Sequence, residues 1–173
     1  MAASNPVFPV TGYHFLTARL RDPGSDLLTA HIDVLRQATR IALQQYPFVV
    51  EAAVILPNQL HMLWRLPPDD PSCAKRWRSI KSTFSRHVPP ICGKDCWQRR
   101  VWEHAIRDRA DFERHVHVIA SAPVHAGLVK NPFDWPHTSL SRRRPIFQDQ
   151  RARTTAPVPS SPNPATVAMS IQI

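Results

Sequence analysis

The chain has 173 residues, 43% of them hydrophobic and five of them tryptophan, which is enough to bury the core of about one domain. Twenty-two Lys and Arg against thirteen Asp and Glu leave a net charge of +9, which points to a polyanionic partner, most often nucleic acid. No run approaches the ~20 apolar residues that span a bilayer, the N-terminus lacks the basic start and apolar run of a secretory signal, and three cysteines do not build a disulfide framework. A cytoplasmic protein without a membrane partner is expected.

Residues 1–11 read as an N-terminal arm. Residues 12–20 (GYHFLTARL) form the first predicted strand. Asp22-Pro23-Gly24 turns the chain, and Ser25 stands as the cap of a helix to about residue 45, with Leu28, Ile32, Leu35, Ala42 and Tyr46 recurring on one face and Pro47 stopping it. A nearly all-apolar strand, 48–56, is expected to be buried. Pro57-Asn58 turns into a third strand, 59–66. After the proline-rich loop 67–71, a helix is predicted over 72–87.

Residues 88–95 read as a loop, 97–107 as a fourth strand, and a last helix runs from Asp108 or Asp111 to Ala122, stopped by Pro123. A basic, aromatic segment ends near Arg144. Residues 145–173 hold five prolines among Ser, Thr, Ala and Gln and are expected to be disordered. The order β-α-β-β-α-β-α implies an α+β fold of ferredoxin-like type, one antiparallel sheet with helices packed on it.

At 100° per residue the helix over 72–87 separates into two faces. Cys73, Trp77, Ile80 and Phe84 make an apolar stripe; Lys75, Arg78, Ser82, Ser85 and Arg86 lie opposite, with Lys81 at the edge. Cations with hydroxyls and no interleaved acids suit a helix lying along phosphates, where each Lys or Arg releases a condensed counterion. Gln98-Arg99-Arg100 and Ser141-Arg142-Arg143-Arg144 are further basic clusters, and either class of cluster also fits a solvated charge block. Cys92 and Cys96, near His87, lack the second pair that structural zinc commonly uses and read as a free-thiol loop. His115 and His117 fall on different helix faces, and Asp108, Asp111 and Glu113 suit the positive end of a helix dipole.

On a strand, Gln59 and His61 share a face while Leu60 turns the other way. The segment Pro57-Asn58-Gln59-Leu60-His61-Met62-Leu63-Trp64 resembles the histidine-hydrophobic-histidine strand of the HUH single-strand DNA nucleases, most closely the REP-associated tyrosine transposase family. The resemblance extends in order through residues 76–86 (RWRSIKSTFSR), 97–108 (WQRRVWEHAIRD), Asp111-Phe112-Glu113-Arg114-His115-Val116, Pro123-Val124, Gly127-Leu128-Val129 and Asp134-Trp135-Pro136-His137-Thr138-Ser139. It spans residues 12–144, which implies one transposase-like domain.

In that family two imidazoles hold Mg²⁺ or Mn²⁺, which polarises the scissile phosphate, and a tyrosine four residues before an amide side chain on the last helix attacks it. Aligned on Pro123-Val124, the tyrosine position here is Val118 and the amide position is Ala122; a second tyrosine of many relatives is Ser121. Gln59 replaces the first imidazole, so Gln59 and His61 read as a vestigial metal pair with no metal or a weakly held one. Valine offers no hydroxyl for covalent catalysis. The resemblance therefore implies a transposase-like protein that binds single-stranded or hairpin DNA as a monomer or homodimer, through Lys75, Arg78, Lys81, Ser82, Arg86, Arg99, Arg100, Arg142 and Arg143, with cutting impaired or lost. The alternative is an active metal-dependent enzyme with an atypical site.

Overall fold

Strand alternation decides the two sides of the sheet. In the computed structural model, which describes residues 12–89 and 96–140, β1 (Tyr13–Arg19), β2 (Val49–Ile55), β3 (Gln59–Arg65) and β4 (Trp102–Ala105) form one sheet in the order β2-β3-β1-β4. All three neighbouring pairs are antiparallel. That is the ferredoxin-like arrangement expected from the order of elements. Leu60, Met62 and Trp64 of β3 and Leu16 and Ala18 of β1 point to one side, where they join Leu35, Ala38 and Ala42 of α2 (Ile32–Gln45) and Trp77, Ile80 and Phe84 of α3 (Cys73–His87) in the larger core. Phe15 and Leu63 point to the other side and pack with Ile119 and Ala122 of α4 (Arg109–His125). β2 is buried on both sides, as its apolar run requires; a register shift between Val50 and Ala52 sends Ala53 and Ile55 to the larger core and Ala52 and Val54 to the smaller one.

Four sequence expectations are corrected in detail. The first helix is broken at His31 into a short α1 (Leu27–Ala30) and α2, and the break leaves both Leu28 and Leu35 fully buried; the Ser25 hydroxyl accepts from Leu27 N–H. The fourth strand is shorter than 97–107. Trp97 makes an isolated bridge to Leu20 and Gln98 N–H bonds Arg19 O, then the exposed Arg99 and Arg100 carry the chain off the ladder until Trp102. Pro123 does not stop α4, because a proline this close to the helix end loses only one amide donor. Its carbonyl accepts from Leu128 N–H while Val124 O accepts from Gly127 N–H, and Gly127 at φ +69° closes the helix in a Schellman turn. Finally, Cys96 is disulfide-bonded, against the expected free thiol; Cys92 lies outside the described residues, as does the 141–173 segment expected to contain the tail.

Two polar assemblies lock the layers. Arg76, 0% exposed, donates to Pro47 O, Ser72 O, Asp70 O and the Asp70 carboxylate at 2.7 to 3.1 Å, pinning the start of α3 to the loop before it and to the α2–β2 junction. On the other side Asp111, 2% exposed, fastens α4 to β4. Its carboxylate accepts from His104 Nε2 at 2.7 Å, Arg107 N–H at 3.1 Å and Arg114 at 3.4 Å, and its own N–H is capped by Asp108. The closing segment shields the outer edge of β2: Ser139 N–H and Ile55 N–H bond across to Ala53 O and His137 O, and Trp135 donates to Ile55 O.

Burial would raise the Asp111 carboxyl, but the hydrogen bonds from His104 and Arg107 and the nearby imidazole charges outweigh it and hold the group at about 2, below its ordinary 3.8. A depressed folded value adds stability above the ordinary range that is lost as pH falls through the folded one. Urea unfolding should therefore show the wild type losing stability between about pH 4 and pH 2, with a flatter profile in that window for Asp111→Asn; identical slopes would remove this role. Gly12 and Gly127 both have positive φ, but a Cβ on Gly12 would stand 2.7 Å from Leu66 O while one on Gly127 meets nothing within 4 Å. Gly127→Ala is expected to cost about 1 kcal/mol and Gly12→Ala about 3 kcal/mol, read from the same unfolding curves.

Candidate nucleic-acid interface

The sequence-predicted residues divide between the two sides of the sheet. On the α4 side, β3 presents Gln59 and His61 together. The register places Thr17 of β1 opposite His61 and Arg19 opposite Gln59. Thr17 Oγ1 and His61 Nδ1 are 2.8 Å apart, which leaves Nε2 as the other ring nitrogen, and the imidazole stacks on Phe15 with centroids 5.7 Å apart. Burial, with the Arg19 charge adding to it, pulls His61 down to about 4, so the ring is neutral at neutral pH.

Phe15 also touches His115 at 4.5 Å between centroids, and Val118 follows His115 by three residues, on a neighbouring position of the same helical surface. Val118 is 39% exposed. Ala122 packs into the smaller core with Ile119 and Leu63. The Ser121 hydroxyl donates back to His117 O at 2.9 Å, so it is tied to its own helix. Trp102, 54% exposed, lies beside Phe15 and His104 and leaves an open aromatic face near His61.

On the opposite side a groove of about 1080 Å³ runs between α3 and residues 97–103. It gathers Arg78, Lys81, Ser82, Ser85 and Arg86 from α3 with Gln98 and Arg99 from the facing segment. Two clusters separated in sequence thus share one surface. Its floor is apolar, made by Trp77, Val88, Trp97 and Val101. Lys81 reaches across it, donating to Gln98 O at 3.1 Å and standing 5.6 Å over the Trp97 ring; burial pulls its ammonium below the ordinary value. The indole nitrogens of Trp77 and Trp97 are buried without a hydrogen-bond partner.

Not every expected cation lies here. Lys75 turns away to pair with Asp70 at 2.5 Å and sits over the Tyr46 ring, so the helix face has an acidic partner that the sequence pattern did not show. Arg100 is exposed but does not line the groove. Arg142 and Arg143 lie outside the described residues. Sequence reasoning missed Thr17 and Arg19 as neighbours of His61; strand alternation puts both on the right face, but only the β1–β3 register pairs them. It also missed the tryptophan floor, since Trp77 counts in the sequence as core alone.

No protein-family profile matches the chain. Individual proteins do. A REP-associated tyrosine transposase of Escherichia coli K12 is 41% identical over 132 residues, 76% of this chain and 78% of that one. A Haemophilus influenzae relative of the same family name is 36% identical over 146 residues, 78% of this chain and 83% of its own. A solved structure of a REP-associated tyrosine transposase bound to a REP hairpin superposes with a TM-score of 0.71 at 38% identity, covering 82% of this chain and 84% of that one. With identity at this level over more than two thirds of each chain, and with the sheet order that the element order implied, the chain belongs to the REP-associated tyrosine transposase family.

Proposed function

We propose that this protein binds single-stranded or hairpin DNA in the groove between α3 and residues 97–103, and that it does not cut DNA by the tyrosine chemistry of its family. The observation that carries the binding half is the convergence of Arg78, Lys81, Arg86 and Arg99 over a Trp77–Trp97 floor. Cations at this spacing neutralise successive phosphates, and the buried Trp77 and Trp97 rings hold the walls that carry them at a fixed separation. The hairpin bound by the solved relative supports the same class of ligand.

The second half rests on the α4 side. Gln59 and His61 offer one imidazole nitrogen and one amide oxygen, beside the Arg19 cation. That leaves one imidazole where the family pattern has two, with a cation beside it that repels a divalent ion, and no carboxylate among Gln59, His61, Thr17 and Arg19 to offset the repulsion. Val118 has no nucleophile, Ala122 has no amide, and the Ser121 hydroxyl is engaged within its helix. Trp102 near His61 remains able to stack on a base, so this surface can still hold a strand it does not cleave.

The test uses a fluorescent hairpin with single-stranded flanks, with and without Mg²⁺ or Mn²⁺, over a salt series. Wild-type binding should weaken steeply with salt, and Arg78→Ala or Arg99→Ala should each flatten the log–log slope by about 0.7 to 0.9. Unchanged slopes would place the DNA elsewhere. No covalent protein–DNA adduct should form unless Gln59→His, Val118→Tyr and Ala122→Asn are combined; an adduct with the wild type would restore the enzyme reading.

A further inference from the structure

A second donor cluster lies on the α2/α3 side of the sheet, away from His61, and the DNA reading does not use it. His14 comes from β1, Cys73 from the first residue of α3 and Glu103 from β4. Cα pairing of Leu16 with Glu103 and of His14 with Ala105 makes Glu103 the diagonal neighbour of His14 on one face, and the start of α3 lowers Cys73 onto the pair. One donor atom from each, an imidazole nitrogen, Sγ and a carboxylate oxygen, all lie within 4.8 Å of one another. His14 Nδ1 is 3.1 Å from Glu103 Oε1, yet the contact misses hydrogen-bond geometry and the nitrogen is buried without a hydrogen-bond partner. Cys73 is a free, buried thiol.

We propose that His14, Cys73 and Glu103 form a three-ligand site for a zinc-class transition-metal ion. A thiol, an imidazole and a carboxylate are the donor types zinc takes, and a tetrahedral ion with its usual bond lengths sets neighbouring donors about 3.3 to 3.6 Å apart; His14 and Glu103 stand 3.1 Å apart and all three donors within 4.8 Å, so small side-chain rotations close the set. Hard cations such as Mg²⁺ and Ca²⁺ do not choose a thiol. The other cluster of this kind, His104, Asp111 and His115, differs in that its carboxylate accepts from His104, Arg107 and Arg114, whereas Glu103 is hydrogen-bonded to the Cys73 thiol and the His14 nitrogen has no hydrogen-bond partner.

Ion binding replaces the Cys73 S–H bond by a metal–sulfur bond and releases the proton to solvent, with no change of oxidation state, so affinity rises with pH. Three separate elements supply the ligands, hence the ion staples the start of α3 to β1 and β4. Glu103 has a side chain 43% exposed and also lines the groove, so the fourth position opens towards solvent at the groove's end. The site thus keeps one position open to water.

The experiment is a Co²⁺ titration of the full chain followed by absorbance, then displacement by Zn²⁺ and a melting curve with and without Zn²⁺. A thiolate-to-cobalt charge-transfer band should saturate at one equivalent, vanish when Zn²⁺ displaces the cobalt, and be absent in Cys73→Ser. His14→Ala and Glu103→Gln should each weaken the affinity by about a hundredfold or more, beyond the tenfold to hundredfold typical of a partner outside the ligand set, while Cys92→Ser/Cys96→Ser keeps the band. Zn²⁺ should raise the melting temperature of the wild type and not of His14→Ala. No band, a band that survives Cys73→Ser, or one that disappears with Cys92 and Cys96, would overturn the site; if Cys73→Ser fails to fold, the His14 and Glu103 variants decide.

Discussion

The ladder between β1 and β3 carries the rest of the structure. Its register runs from Tyr13 opposite Arg65 to Arg19 opposite Gln59, and because side chains alternate with period two, a slip of β3 by one residue would turn each of its side chains to the other side. Trp64, fully buried between Phe48 and Trp77, would then face α4, and His61 would enter the apolar core. Burying Leu60, Met62 and Trp64 forbids that slip. The same packing that anchors the larger core therefore fixes where Gln59, His61, Thr17 and Arg19 meet.

The two sides of the sheet carry different chemistry on one scaffold. On the α4 side the packing is intact: Asp111 is saturated with donors, His115 lies on Phe15, and Phe15 lies under His61. Gln59 and Val118 reach the surface of this side, Val118 at 39% exposed, while Ala122 packs into the smaller core.

On the other side the basic groove depends on α3 being held at a fixed height over the sheet. Arg76 does this from within, its buried guanidinium donating to three backbone carbonyls and the Asp70 carboxylate; removing it would take away four bonds that tie the helix to the loop before it and to the α2–β2 junction. Trp77 and Trp97 then serve the core and the groove at once, and Lys81 bridges the two walls. A metal on His14, Cys73 and Glu103 would add a third tie at the same helix end.

The sequence by itself determined the sheet-forming segments, the two-faced helix over Cys73–His87 and the pairing of Gln59 with His61 on one face, because these follow from periods of 2 and 3.6 along a single element. It also determined what Val118 cannot do, since chemistry absent from a side chain is absent in any fold. Element ends were less legible: Pro123 reads as a stop until Gly127 and the carbonyls of α4 are seen to close the helix, and 97–107 reads as one strand until Arg99 and Arg100 lift away from the ladder. Only the tertiary structure decided which cations work together. Arg78 and Arg99 are twenty-one residues apart in sequence and share a groove, while Lys75, three residues from Arg78, is turned to Asp70. The same holds for Thr17 against His61 and for His14 against Cys73 and Glu103. Such contacts depend on strand register and on how a helix is seated, and those are properties of the packed core that no local pattern encodes.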